Sequence, residues 1–200
     1  MELELREKLV AYGNKLVETG LVQGTWGNLS IRLDDQYMLV TPSGLDYSRL
    51  TPADMVKVNL QTLKHEGSLK PTSEKSLHAE IYLRRPDING VIHTHSTYCS
   101  VFAAAHKPLP VEDPEMQDLF GNEIPLAKYG SPGSKKLMQN TVDAFGGGFG
   151  CIMTAHGMIC GGETIEKAFD YCCKMERCAE SYIEKRWEEG DEYGIERSFR

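Results

Sequence analysis

The segment VIHTHSTYCS, residues 91–100, places two histidines at the end of a run of β-branched residues. Side chains alternate along a strand with a period of two, so a strand over residues 89–95 would project His93 and His95 from the same face. Two imidazoles on one face can bind a single metal ion, and zinc readily accepts nitrogen ligands. The segment therefore predicts a strand that ends in part of a metal site.

The composition is that of one soluble domain. The chain has 200 residues, 40% of them hydrophobic, which is enough for one sizeable core. A net charge of −7 argues against a nucleic-acid-binding protein. We see neither a signal peptide nor the roughly 18 consecutive apolar residues of a membrane span, so no membrane partner is expected. The six cysteines have no CxxC spacing, and we expect a cytoplasmic protein.

Hydrophobic periodicity predicts an α/β protein. A first helix should end near Gly20 and a last helix should cover residues 164–186. Because early strands come in hairpin-like pairs and later strands alternate with helices, we expect a single-domain α/β/α layered sandwich around a mixed, largely antiparallel sheet. We assign residues 1–187 to this domain and 188–200 to a C-terminal tail that we expect to be mobile. The other predicted strands are 29–33, 37–41, 55–60, 89–95, 123–127 and 151–155, and the other helices 74–85, 96–105 and 134–145.

His156 and Glu74 are candidates to complete the metal site. His156 follows an apolar strand and precedes a glycine, where the chain can pack closely against a neighbour. Three imidazoles suit zinc, or another divalent metal, and leave one position open. Glu74 is at the start of a helix and could either bind the metal or move a proton at a carbon beside a carbonyl. His78, four residues later, is either a partner of that carboxylate or an ordinary residue of the helix surface.

Three loops rich in glycine and hydroxyl groups predict an anion site. They are QGTWGN at residues 23–28, TPSG at 41–44 and PTS at 71–73. Backbone N–H groups and short polar side chains in such loops can hold a phosphate without a lysine. Each loop alone is typical of an ordinary turn. Three of them, the last next to Glu74, favour a phosphate site.

Taken together, these segments resemble the class II aldolase/adducin family, and within it the L-fuculose-1-phosphate aldolase type. The matching pieces run in the family's order over about residues 5–185: QGTWGNLSIR, LVTPSGLDY, KPTSEKSLH, GVIHTHSTYCS and TAHGMICGGETIEKA. The resemblance implies a nine-stranded α/β/α sheet and a homotetramer with active sites at subunit contacts. The implied reaction is zinc-dependent cleavage of a small ketose 1-phosphate to dihydroxyacetone phosphate and an aldehyde.

The resemblance also implies roles for individual residues. His93, His95 and His156 match the zinc-binding histidines, and Glu74 matches a carboxylate that ligates zinc at rest and acts as acid/base during turnover. A related epimerase branch has aspartate at that position, so Glu74 favours the aldolase type. The positions that match the family's phosphate-binding residues are Thr25, Gly27, Asn28, Ser43, Gly44, Thr72 and Ser73.

One segment departs from the family pattern. The aldolase type has a tyrosine, donated across the subunit contact, where this chain has Pro114. A second family tyrosine comes from the C-terminal tail, where Tyr193 is the candidate. Glu115 instead resembles a glutamate of the family's dehydratase branch and could act as acid/base. The alternatives are therefore a metal-dependent dehydratase or decarboxylase of a sugar phosphate that uses Glu115, and, more remotely, a non-catalytic adducin-like interaction module.

Overall fold

The structure is a computed structural model and describes residues 1–188. Most of the predicted tail, including Tyr193, lies outside the described residues. None of the described helices is long and apolar enough to cross a membrane. The helices are α1 (Glu2–Glu18), α2 (Lys75–Arg84), α3 (Thr97–Ala105), α4 (Pro114–Phe120), α5 (Lys135–Phe145) and α6 (Ile165–Glu188). The strands are β1 (Gly27–Arg32), β2 (Tyr37–Val40), β3 (Val56–Asn59), β4 (Gly90–Thr94), β5 (Leu109–Pro110), β6 (Glu123–Ile124), β7 (Leu126–Ala127), β8 (Gly150–Met153) and β9 (Gly157–Gly162).

Seven strands form one sheet in the order β3-β2-β1-β4-β9-β8-β7. Every neighbouring pair in it is antiparallel except β7 and β8, which are parallel. Strands β5 and β6 form a separate antiparallel pair. The prediction of a mixed, largely antiparallel sheet is therefore confirmed.

Helices cover both faces of the seven-stranded sheet. One core cluster joins α1, α3 and α6 to one face, and a second joins α2 and α5 to the other. Within β4, Ile92 belongs to the first cluster and Val91 to the second. His93 is two residues beyond Val91 and therefore faces the α2 side of the sheet. The α/β/α sandwich is confirmed, and its central strand directs a histidine towards α2.

The sequence prediction missed one central strand, β9, and merged two short ones. Strand β9 contains Gly161 and Gly162, and glycine is depleted in strands, so the pattern gave no strand signal there. A side chain at Gly162 would collide with the backbone of α6, which explains the glycine. The predicted strand 123–127 is divided into β6 and β7 at Pro125, because proline interrupts strand pairing. Helix α4 and strand β5 were not predicted.

The turn that follows β4 is fixed by a carboxylate from α6. Glu176 accepts hydrogen bonds from the Ser96 hydroxyl (2.6 Å) and from the backbone N–H groups of Tyr98 (2.7 Å) and Cys99 (3.0 Å). These N–H groups belong to the first turn of α3 and have no partner within the helix. A negative charge at this helix end is also favourable for the helix dipole. Glu176 therefore fixes the start of α3 directly after His95.

Glu176→Gln is expected to lower the free energy of unfolding by about 2 kcal/mol, because an amide nitrogen would face N–H groups that need an acceptor. Urea unfolding followed by circular dichroism measures the change. Asp170→Asn is the matched control on the same helix: it loses only an exposed pair with Lys174, worth less than about 0.5 kcal/mol. Equal stability losses in the two variants would contradict the role given to Glu176.

Candidate active site

Three imidazoles meet where β4 ends and the β8–β9 turn passes beside it. His93 lies within β4, His95 just beyond it, and His156 in the turn between β8 and β9. One potential ligand atom from each histidine lies within 4.8 Å of those of the other two. The ring centroids are 4.7 to 4.9 Å apart, and the Nε2 atoms of His93 and His95 are separated by 2.9 Å. The three rings thus surround one small space.

Two backbone features hold the β8–β9 turn against β4 and α3. A Cβ atom at Gly157 would overlap the carbonyl oxygen of Thr94, so only glycine permits this approach. Ala155 adopts a left-handed conformation (φ 53°), and its N–H donates a hydrogen bond to the Ala103 carbonyl (2.9 Å). The tight turn places His156 next to His93.

Glu74 adds a carboxylate to the three imidazoles. It is the N-cap residue of α2 and is almost fully buried. Its Oε2 lies 3.5 Å from His93 Nε2 and accepts a hydrogen bond from the Asn28 amide (3.2 Å). Its Oε1 lies 3.3 Å from His156 Nε2 and has no hydrogen-bond partner. The Thr72 hydroxyl oxygen accepts a hydrogen bond from the Glu74 N–H (3.3 Å).

The protonation states leave ligand atoms available. His93 Nδ1 lies 2.7 Å from the Met158 carbonyl, so Nδ1 carries the proton and Nε2 presents a lone pair to the cluster. Burial lowers the pKa of His95 and of His156 to about 4, so both rings are neutral at pH 7. Burial acts to raise the pKa of Glu74, but His93, His156 and the Asn28 amide outweigh it and hold that pKa below its ordinary value. Glu74 is therefore ionised.

This donor set fits a divalent metal. Neutral imidazole nitrogens and one carboxylate oxygen are the ligands that zinc accepts, and Glu74 Oε1 is buried without a partner. A buried carboxylate oxygen with no hydrogen bond is costly unless another group satisfies it. Among the described residues, the three histidines are the one cluster of this kind that is found.

A cavity of about 170 Å³ opens onto the cluster. Its walls contain all four predicted metal ligands and residues from each of the three glycine- and hydroxyl-rich loops. The seven predicted phosphate-binding residues all line it: Thr25, Gly27, Asn28, Ser43, Gly44, Thr72 and Ser73. Six further residues, to which the sequence prediction gave no individual role, also line it: Thr41, Pro42, Leu45, Tyr47, Leu50 and Pro132.

The Asn28 side chain is occupied in a way that the sequence prediction missed. Its amide nitrogen contacts Glu74, and its oxygen lies 2.5 Å from His78 Nε2. The side chain is therefore bonded within the protein rather than directed only at the cavity. The spacing of Glu74 and His78, four residues apart, was the one sequence signal for this contact, but a pattern along one helix cannot identify a partner on another element.

Glu115 is exposed in the first turn of α4 and does not line the cavity. The backbone N–H of Glu115 is bonded to the capping side chain of Asp113 (2.8 Å). Tyr193 lies outside the described residues. The catalytic roles of these two residues therefore stay predictions.

Comparison with known proteins shows the family to which the chain belongs. The model of the Class II Aldolase and Adducin N-terminal domain matches residues 7–183. A 5-deoxy-D-ribulose 1-phosphate aldolase of Bacillus thuringiensis serovar kurstaki is 35% identical over 182 residues, 90% of this chain and 85% of that protein. A 5-methylthioribulose-1-phosphate/5-deoxyribulose-1-phosphate aldolase of Rhodospirillum rubrum is 34% identical over 180 residues, 90% of this chain and 80% of that protein.

A solved structure of L-fuculose 1-phosphate aldolase is similar with a TM-score of 0.87 and 34% sequence identity, over 92% of this chain and 86% of that one. The chain therefore belongs to the class II aldolase and adducin family. It is an enzyme of the L-fuculose-1-phosphate aldolase-like type, a carbon–carbon lyase, and metal dependence is typical of such enzymes. The non-catalytic adducin-like alternative is set aside.

Proposed function

We propose that the protein is a zinc-dependent aldolase that cleaves a small ketose 1-phosphate to dihydroxyacetone phosphate and an aldehyde. One observation carries the proposal: a buried carboxylate with one unpartnered oxygen lies beside a cluster of three imidazoles at the wall of a cavity lined by hydroxyl-bearing loops. In its relatives' names the substrates are 5-deoxyribulose, 5-methylthioribulose and fuculose 1-phosphates. A ketose 1-phosphate with an unphosphorylated distal end is therefore the proposed substrate class.

In this proposal, His93, His95, His156 and Glu74 hold the zinc ion. Zinc supplies, when bound, a Lewis acid that stabilises the negative charge developing on the substrate oxygens at C2 and C3. The phosphate is held by backbone N–H groups and short polar side chains of the three loops, with Ser43, Gly44 and Ser73 exposed towards the cavity.

Glu74 is the proposed acid/base. Retro-aldol cleavage removes the proton of the C4 hydroxyl, breaks the C3–C4 bond and leaves the electron pair on the three-carbon fragment as an enediolate. A proton must then reach C3 to form dihydroxyacetone phosphate. Glu74 is the one carboxylate that lines the cavity among the described residues, and we assign this proton transfer to it.

The group that handles the C4 hydroxyl comes, in this proposal, from another copy of the chain. No further acidic side chain of the described residues lines the cavity, and the exposed Glu115 and the tail residue Tyr193 are the two candidates. A homotetramer with active sites at subunit contacts would bring one of them to the cavity. Use of Glu115 for dehydration or decarboxylation remains the second candidate function. The six cysteines are free, which agrees with the proposed cytoplasmic location.

A coupled assay for dihydroxyacetone phosphate tests the proposal. Zinc-loaded protein is incubated with 5-deoxyribulose, 5-methylthioribulose and L-fuculose 1-phosphates, with and without a chelator. Release that the chelator abolishes and zinc restores is the expected result. If no substrate releases dihydroxyacetone phosphate and mass spectrometry shows loss of water instead, the reaction is the dehydration assigned to Glu115 and not aldol cleavage.

His95→Ala is expected to lower the zinc content of the purified protein at least tenfold, because one of three imidazoles at the site is lost. Elemental analysis measures zinc per chain. His65→Ala is the matched control, since His65 is exposed and lies outside the cluster. Normal zinc content in the His95 variant would remove this residue from the ligand set.

A further inference from the structure

A buried row of polar side chains runs between β1 and α2 and ends at Glu74. On β1 it contains Asn28 and Ser30, and on α2 it contains His78 and Tyr82. His78 Nδ1 lies 2.7 Å from the Ser30 hydroxyl, which lies 2.8 Å from the Tyr82 hydroxyl. His78 Nε2 lies 2.5 Å from the Asn28 oxygen, and the Asn28 amide contacts Glu74. We call these five side chains the β1–α2 polar row.

The geometry of the two elements produces this row. Residues two apart on a strand are separated by about 6.6 Å and face the same side, and residues four apart on a helix are separated by about 6 Å. The spacing of Glu74, His78 and Tyr82 along α2 therefore matches the spacing of alternate residues along β1. Arg32, the next residue of β1 on this face, continues the match: its guanidinium lies 4.9 Å from the Tyr82 ring centroid and donates to the Tyr82 carbonyl (2.7 Å).

The row is buried, and it reaches the cavity wall at Asn28 and Glu74. His78 and Ser30 have no exposed surface, Tyr82 is 1% exposed and Asn28 7%. Polar groups at such depth are costly unless each is hydrogen-bonded, and these four side chains are. Hydrophobic residues of similar volume could fill the same space, so packing alone does not require a polar row here.

The carboxylate at one end determines the direction of every hydrogen bond. An ionised Glu74 can only accept, so Asn28 must present its NH₂ group to Oε2 and its oxygen to His78. His78 must then donate from Nε2–H, and its Nδ1 accepts from the Ser30 hydroxyl. The Ser30 oxygen in turn accepts from the Tyr82 hydroxyl. In each of the four hydrogen bonds, therefore, the acceptor is the group nearer to Glu74 along the row.

We propose that His78 is a positioning residue that acts through Asn28 to fix the orientation of the Glu74 carboxylate. The row holds Oε2 and leaves Oε1 without a protein partner, facing His156. The two oxygens of the carboxylate thereby become different: one is tied to the protein and the other is free for the ion and for the proton transferred at C3. This inference rests on the proposed function of Glu74.

Two substitutions of similar size distinguish the roles of the two ring nitrogens of His78. The amide nitrogen of His78→Gln reaches the position of Nε2 and can still donate to Asn28. The side chain of His78→Asn is shorter and reproduces only the Nδ1 position, so Asn28 loses its partner. Both variants lose the ring and its packing, so the thermal midpoint of each reports the purely structural cost.

Zinc affinity, measured by chelator competition, is expected to fall about 10–100-fold in His78→Asn and much less in His78→Gln. kcat should follow the same order, whereas KM changes less, because the TPSG loop (residues 41–44) and the PTS loop (residues 71–73) are unaltered. Equal zinc affinities and kcat values in the two variants, or losses that simply follow the thermal midpoints, would overturn the positioning role. In a protein that already carries Asn28→Ala, adding His78→Asn should lower neither zinc affinity nor kcat any further.

A measurement on the unmodified protein avoids any folding defect. Nitrogen-15 NMR spectroscopy of histidine-labelled, metal-free protein identifies the protonated ring nitrogen of His78. An Nε2–H tautomer is expected, and an Nδ1–H tautomer would overturn the inference, since Asn28 would then lack its donor. Failure of the wild-type protein to bind zinc at all would refute the proposed function instead, so the two failures are distinguishable.

Discussion

Glu74→Gln is expected to lower kcat for release of dihydroxyacetone phosphate about 1,000-fold, within the range that loss of a general acid/base produces. The amide has almost the shape of the carboxylate and keeps an oxygen that can accept from Asn28, but it cannot carry a proton at C3. The three imidazoles remain in place, so the site is expected to stay occupied when zinc is in excess, although the zinc affinity falls at least as much as in His78→Asn. The decisive result is a protein that contains zinc and folds normally but does not turn over.

Kinetics at saturating substrate, with zinc content measured on the same preparation, test this expectation. Glu80→Gln is the matched control on the same helix, because Glu80 makes an exposed pair with Arg84 away from the cavity. Its kcat should equal that of the wild type. Undiminished turnover in the Glu74 variant would exclude Glu74 as the acid/base, and loss of zinc in that variant would show that its ligand role dominates.

Gly157→Ala is expected to lower the free energy of unfolding by about 3 kcal/mol, the upper range for overpacking a tight contact. The added Cβ would overlap the Thr94 carbonyl and lie 3.3 Å from His95 Cδ2. The overlap involves backbone, so it can be relieved only if the β8–β9 turn moves away from β4. Because this turn carries His156, zinc affinity should fall together with stability.

Gly147→Ala provides the matched control, since a Cβ there meets nothing within 4 Å. Its unfolding free energy should remain within about 0.5 kcal/mol of the wild type. Urea unfolding and chelator competition together measure both effects. A stable Gly157 variant with unchanged zinc affinity would mean that the approach of the turn to β4 does not position His156.

The parts of the fold that were predicted from the sequence are those with clear periodicity. Helices α1, α5 and α6 have apolar faces at helical spacing, and the histidine strand β4 is uniformly buried and β-branched at its start. Strand β9 was missed because its glycines serve close packing, which depends on neighbours that a local pattern does not contain. The predicted tail, including Tyr193, lies mostly outside the described residues.

In the candidate site, too, some features could be predicted from the sequence and others could not. The residue types and order of the histidines and of Glu74 were enough to group them, and the structure brings them together. The residues that position Glu74 could not be predicted from residue type and order. Asn28 and His78 belong to different elements and meet only when β1 packs on α2. Nothing in the described part of the chain tests the predicted roles of Glu115 and Tyr193.

The cavity has no lysine or arginine among the described residues that line it, although its proposed ligand carries a phosphate. The three phosphate loops offer only neutral donors, which bind an anion at contact distance and do not attract it from solution. The chain as a whole carries a net charge of −7, which repels a phosphorylated sugar at long range. Added salt shortens the reach of that repulsion to about 8 Å at physiological ionic strength. Encounter with the substrate is therefore expected to be slowest in dilute buffer and to become faster as ionic strength rises.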